Sequence, residues 1–193
     1  MSIEIVFETH ALTEDNEAGI ATGWLPGRLS LRGRENAVAM GHRRRSAGIA
    51  AVFCSDLRRS VETAELAFAH SGIPVLLDWR LRECDFGTLN GAPGDRVKAV
   101  RTEHIDRPFP GGESHRQAVR RTTGLLSDLP SRWDGQRVML IGHLATYRAL
   151  EHVTTGRSLE DIVADDFAWR PEGWSYRLGQ DAQGPTPPTR SMR

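Results

Sequence analysis

A chain of 193 residues is long enough for one domain with a sizeable core, and no internal linker divides it. Hydrophobic residues make up 39% and charged residues 26%, and 25 Lys and Arg against 25 Asp and Glu leave no net charge with His neutral. That balance argues against a general nucleic-acid or membrane-surface binder. Arginine is abundant while Lys98 is the only lysine, a bias that genomic composition explains more simply than phosphate binding does.

The first ten residues, MSIEIVFETH, lack a basic segment followed by a long apolar run, and no stretch approaches the length of a membrane span. The expected compartment is therefore the cytoplasm. Cys54 and Cys84 are too few for a disulfide framework and read as buried free thiols.

In chain order, Ile3 to Phe7 is a short apolar run expected to form a buried strand. Thr9 to Pro26 is polar and Gly-containing and reads as loop. A helical pattern follows Ser30, from about Gly33 to Ala47, with Gly48 as its stop. Ala50 to Cys54 is a second buried strand, after which Ser55 and Asp56 read as the N-cap of a helix over Leu57 to Ala69. Gly72 and Pro74 close that helix, Val75 to Leu77 is a strand, and Leu81 to Phe86 is a short extended piece.

The pattern then gives a helix from Gly94 to Glu103, a turn over Pro108 to Gly112 and a helix from Glu113 to Leu129. Arg137 to Gly142 (RVMLIG) is the clearest buried strand, followed by a helix from Thr146 to Thr155 that Gly156 ends. Phe167 to Arg170 and Trp174 to Leu178 read as a hairpin around Pro171-Glu172-Gly173. Residues 1–178 thus form the expected domain, and 179–193, poor in apolar residues, a disordered tail. Alternating strands and helices predict an α/β domain with a mostly parallel sheet and helices on both faces.

In such sheets ligands bind beyond the carboxyl ends of the strands. His10 follows the first strand; Ser55, Asp56 and Arg59 follow the second; Glu83 lies at the end of the extended piece; His143 follows RVMLIG. Two histidines, an arginine and a carboxylate gathered at one edge can perform phosphoryl transfer. Neutral imidazole attacks phosphorus, cations disperse the charge of the transferring group, and a carboxylic acid protonates the leaving oxygen. Each residue alone also has a plain structural use, as a cap, a helix arginine or a surface acid. The same donors lack the close spacing of zinc motifs.

Five segments in order resemble the histidine phosphatase superfamily, the phosphoglycerate-mutase-like proteins, over residues 3 to about 178. His10-Ala11-Leu12-Thr13-Glu14-Asp15-Asn16 resembles the family's Arg-His-Gly-Glu-Thr-x-x-Asn. Ser55-Asp56-Leu57-Arg58-Arg59 through Ala64, Leu81 to Gly87, Pro110 to Ser114, and Ile141 to Leu150 resemble the remaining landmarks. The resemblance implies a three-layer α/β/α sandwich. It makes His10 the phospho-accepting nucleophile, Arg59 and His143 ligands of the phosphoryl oxygens, and Glu83 the proton donor. It places Asn16 and Thr13 in the phosphate pocket, together with the backbone N–H of Leu144, which stands where the family has glycine. It implies no metal and no cofactor, a small phosphorylated substrate, and a homodimer as one assembly.

The family's arginine before the nucleophile is absent, for Thr9 stands there, and Ala11 and Leu12 replace the usual glycine and glutamate. Loss of that bidentate cation removes transition-state stabilisation. Arg28, Arg32, Arg58, Arg82 and Arg148 are candidate substitutes, Arg28 foremost. Trp24 and Phe109 are candidates either for a specificity pocket or for the core. The implied function is a phosphomonoesterase working through phosphohistidine, because the stretch from Gly91 to Gly111 is short and gives little shielding from water. A mutase-type phosphotransferase and a weakly active or purely ligand-binding member are the alternatives.

Overall fold

Residues 2–179 are described by the structure, a computed structural model; residues 180–193, nearly all of the expected tail, lie outside the described residues. The strands are β1 (Ser2–Thr9), β2 (Ile20–Ala21), β3 (Ile49–Cys54), β4 (Val75–Leu77), β5 (Ala92–Pro93), β6 (Arg137–Gly142) and β7 (Trp174–Gly179). The helices are α1 (Glu14–Glu17), α2 (Leu31–Arg44), α3 (Arg58–Phe68), α4 (Gly94–Val100), α5 (His115–Asp128), α6 (Pro130–Trp133), α7 (Leu144–Thr155) and α8 (Leu159–Ala164). The main sheet has five strands in the order β4-β3-β6-β1-β7, all parallel except β7, which runs antiparallel to β1.

The alternation of side chains along each central strand splits the core into two layers. Ile3, Ile5 and Phe7 of β1 meet Ala51 and Phe53 of β3 and Val138 and Leu140 of β6 on one face. There Leu125 and Leu126 of α5 and Leu150 of α7 cover them. On the other face Val6, Val52, Cys54, Met139 and Ile141 pack against Met40 of α2 and Ala64 and Phe68 of α3. Burial on both faces explains why these strands read as unbroken apolar runs. The result is the three-layer sandwich with a mostly parallel sheet. Helices α2 and α3 approach so closely that a Cβ at Gly41 would collide with the backbone of Ala67.

Register fixes the functional edge. Thr9 of β1 sits opposite Gly142 of β6, and Cys54 of β3 opposite Ile141. The His10 N–H extends the ladder by one bond, donating to the Gly142 carbonyl at 3.0 Å. His10, Ser55 and His143 are each the next residue beyond adjacent strand ends.

Four expectations are corrected. Leu57, not Ser55 or Asp56, is the N-cap of α3, and no side chain caps it. The Ser55 hydroxyl is held by His143 and the Asp56 carboxylate by Arg82. The extended piece expected over 81–86 begins inside a 3-10 turn at Trp79–Leu81, capped by Asp78, and continues as irregular backbone that joins no sheet. The Arg121 guanidinium takes the carbonyls of Arg80, Arg82 and Glu83 that a ladder would need. Phe167 to Arg170 does not pair with β7. Phe167 packs on Tyr147 and Trp174 instead, and Trp169 reaches the end of β1 at Thr9. Finally, the loop after β1 is partly ordered into α1 and β2.

Candidate active site

His10 is placed by the end of β1, and its ring is oriented from both sides. Nδ1 lies 2.8 Å from the Ala11 carbonyl, which can only accept, so Nδ1 carries the proton. Nε2 therefore presents a lone pair, and it receives Arg59 Nε–H at 3.2 Å. Burial, and secondarily the Arg59 charge, push the His10 pKa down to about 3. The imidazole is neutral at pH 7, the form in which it is a nucleophile.

Arg59 comes from the first turn of α3 and is 2% exposed. Its Nη2 donates to the Gly23 carbonyl at 2.7 Å and its Nη1 to the Leu25 carbonyl at 3.1 Å. No carboxylate pairs with it among the described residues, although the charges of Glu83 and Asp15 partly offset the cost of its burial. A buried guanidinium without a counter-ion is expensive unless an anion joins it.

His143 caps the start of α7 and is 1% exposed. Its ring centroid stands 4.9 Å from that of His10. Nε2 lies 2.8 Å from Ser55 Oγ, and Nδ1 faces Arg59 Nη2 at 3.4 Å. Arginine can only donate, so Nδ1 accepts and Nε2–H donates to Ser55. Burial, then the charges of Arg59 and His10, hold the His143 pKa well below the usual imidazole range.

Glu83 is fixed by three backbone donors: Cys84 N–H at 2.8 Å and Ala145 N–H at 3.1 Å to Oε1, and Leu144 N–H at 3.2 Å to Oε2. The Leu144 N–H is thus engaged by Glu83, which corrects the expectation of a free donor for phosphate. The backbone of Glu83 is held in turn. Its carbonyl accepts from the Trp24 indole at 2.6 Å and from Arg121, which Glu113 grips at 2.8 Å. This gives the Pro110-to-Ser114 segment its purpose, and it shows Trp24 positioning Glu83 rather than lining a pocket. Phe109 is a core residue, stacked on His104 and edge-on to Phe86.

Asn16 borders the site, while Thr13 is fully buried and does not. Thr13 caps α1, its Oγ1 accepting Asn16 N–H at 3.0 Å, while Asn16 Oδ1 accepts Thr13 N–H at 3.2 Å. The expected substrate contact of Thr13 is replaced by a supporting one.

Two cavities meet at His10, Asn16, Glu83, Leu144 and Phe167. One, of about 530 Å³, runs past Thr9 toward α2 and the 167–171 segment. The other, of about 460 Å³, is bordered by Arg59, Arg148 and His115. Arg28 and Arg58 border neither, and Arg82 is occupied by Asp56 and lies over Trp24. Arg32 borders the first cavity and Arg148 the second. Arg43, which sequence reasoning passed over, also borders the first, held by the buried Glu8 at 2.9 Å. Among the described residues no three His, Cys, Asp or Glu side chains are grouped to hold a metal, and no helix is long and apolar enough to cross a membrane.

Sheet order and strand-end chemistry together define a class, and comparison supplies its family. The chain belongs to the histidine phosphatase superfamily (branch 1), whose family model matches residues 5–175. It is 31% identical over 192 residues to a 2,3-bisphosphoglycerate-dependent phosphoglycerate mutase of Methylobacterium sp. (strain 4-46), with 92% of each chain covered. Among solved structures it resembles a mycobacterial glucosyl-3-phosphoglycerate phosphatase, with TM-score 0.76, 26% identity and 92% of this chain against 90% of that one. The alpha-ribazole phosphatase of Shigella flexneri shares the fold, with TM-score 0.71 and 21% identity over 84% of this chain and 83% of that one.

Proposed function

We propose that the protein is a phosphomonoesterase that passes the phosphoryl group of a small metabolite through a phosphohistidine on His10. One observation carries the reading: the unprotonated Nε2 of His10 lies against a buried, carboxylate-free Arg59. A phosphoryl group supplies both the electrophile for the first and the anion for the second.

In the first step the Nε2–P bond forms as the ester P–O bond breaks, with Arg59 neutralising charge on the non-bridging oxygens. Glu83 acts as the general acid, passing a proton to the departing alkoxide. In the second step water attacks phosphorus, Glu83 takes the water proton, and Nε2 leaves with its lone pair restored. The three backbone N–H groups on Glu83 aim the carboxyl through both steps.

The test is phosphate release from a panel of phosphomonoesters by wild type and His10→Ala. We expect at least a ~10³-fold loss in kcat/KM for the variant and an acid-labile phosphate on the wild type after a quench. Equal release by the two proteins on every ester refutes the proposal. The resemblance to the Methylobacterium mutase supports a second reading, phosphoryl transfer between positions of a sugar acid. Interconversion of phosphoglycerates without phosphate release would decide for it.

A further inference from the structure

The catalytic centre opens into two cavities, and a small phosphomonoester carries one organic group. Resting on the phosphomonoesterase reading, we propose that the cavity on the Thr9 side is the specificity subsite and that it selects a planar aromatic group bearing an acid.

Position 9 makes the room. A threonine side chain is short, and its Oγ1 is already engaged, accepting Trp169 Nε1–H at 3.2 Å. Residue 9 therefore frames the cavity instead of reaching across it. The wall beside it is aromatic. Trp169 borders the cavity and is 59% exposed, high for the residue with the largest apolar face. Its N–H bond to Thr9 ties the ring edge to the end of β1 and fixes the indole before any ligand arrives. Phe167 lies beside it, itself anchored on Tyr147 and Trp174. Preset aromatic faces favour a planar partner at low entropic cost.

Charge supplies the second half of the inference. Arg32 and Arg170 border this cavity, and among the described residues neither forms an ion pair. Arg43, also at its border, is already matched by Glu8. In the other cavity the accessible cations are spoken for: Lys98 pairs with Asp166 at 2.8 Å, and Arg101 donates to the Val163 carbonyl at 2.7 Å and to Asp166. Its remaining cations, Arg59 and Arg148, form no ion pair among the described residues but are buried, Arg59 against His10 and Arg148 against His115. Among the described residues, an acidic substituent thus meets solvent-exposed guanidinium groups without an ion pair on the Thr9 side, Arg32 and Arg170, the latter lying over the Trp174 ring. Glu83 borders both cavities, so an alcohol leaving toward the Thr9 side remains within its province.

The experiment uses three substrates with similarly reactive alkyl leaving groups: 4-carboxybenzyl phosphate, benzyl phosphate and glycerol 3-phosphate. Phosphate release is measured for the full chain. In wild type, kcat/KM should favour 4-carboxybenzyl over glycerol 3-phosphate by about tenfold or more. Trp169→Ala should lower that ratio by about tenfold, mainly through KM, whereas Trp169→Phe, which keeps a ring, should hold it within about threefold. The double variant Arg32→Gln/Arg170→Gln should erase the preference for the carboxylated over the plain benzyl ester. Circular dichroism establishes that each variant is folded. Active enzyme whose substrate ratios ignore these changes overturns the subsite and leaves the phosphomonoesterase reading intact. If no ester is hydrolysed and His10→Ala matches wild type, both fall.

Discussion

Under the proposed function two walls enclose the phosphoryl position, and they are built by opposite rules. One consists of His10, Arg59 and His143: buried or half-buried groups on the segments that leave the strand ends, His10 and Arg59 held by backbone carbonyls and His143 by Ser55, all gathered by the register of β1, β3 and β6. The other consists of Thr9, Trp169, Arg32 and Arg170, exposed or half-exposed groups drawn from a strand end, a loop and the outside of α2. The first wall is preorganised for charge on phosphorus, the kind of contact that accelerates chemistry. The second is placed to grip whatever phosphorus is attached to. Thr9 touches both walls: it stands where the family resemblance expects an arginine for the first, and its short side chain borders the second.

Removing the charge of the inner wall should produce the largest difference between the two. Arg59→Gln keeps part of the side chain's shape but removes the guanidinium that faces both His10 and His143, and under the proposed function a ~10²–10³-fold fall in kcat/KM is expected across all substrates alike. The same variant should move the pH profile. Burial is the greater cause of the low His10 pKa and the Arg59 charge the second, so the variant raises that pKa from about 3 toward the ordinary 6.5. The nucleophile then takes up its proton at a higher pH, and the acid limb of kcat/KM shifts upward. A variant that loses activity on only some substrates would place Arg59 in the outer wall and break the distinction.

That distinction also governs what the sequence made legible. Strands β1, β3 and β6 declare themselves because burial on both faces forces apolar runs, and a parallel sheet gathers whatever follows them. His10, Arg59 and His143 could thus be found without coordinates, and Glu83 through its motif. Ser55 was visible as a polar residue after a strand, but a serine there reads equally as a helix cap, and only the closeness of β3 to β6 reveals its bond to His143. The non-pairing of 167–170 was hidden for a related reason. Alternating aromatic residues suit a strand, yet here they pack on Tyr147 and Trp174 and against Thr9 instead. Thr13 was misplaced because a cap and a ligand contact use the same side-chain oxygen.

Ser55 provides the smaller and sharper test of the inner wall. With Arg59 Nη2 facing Nδ1, His143 keeps its proton on Nε2 and gives it to Ser55 Oγ, 2.8 Å away. A phosphoryl oxygen arriving at Nδ1 needs the opposite tautomer. The serine hydroxyl can donate as well as accept, so it supports Nε2 in either state. Ser55→Ala should leave the fold standing and lower kcat/KM by about tenfold, the cost of one unreplaced buried hydrogen bond. The ¹⁵N shifts of the His143 ring distinguish the tautomers. On binding vanadate or phosphate, wild type should move its proton to Nδ1, and the variant should do so incompletely. If the variant's ring responds as the wild type's does and activity stays within twofold, His143 is oriented by its place at the head of α7 alone, and the inner wall is less tightly coupled than its hydrogen bonds imply.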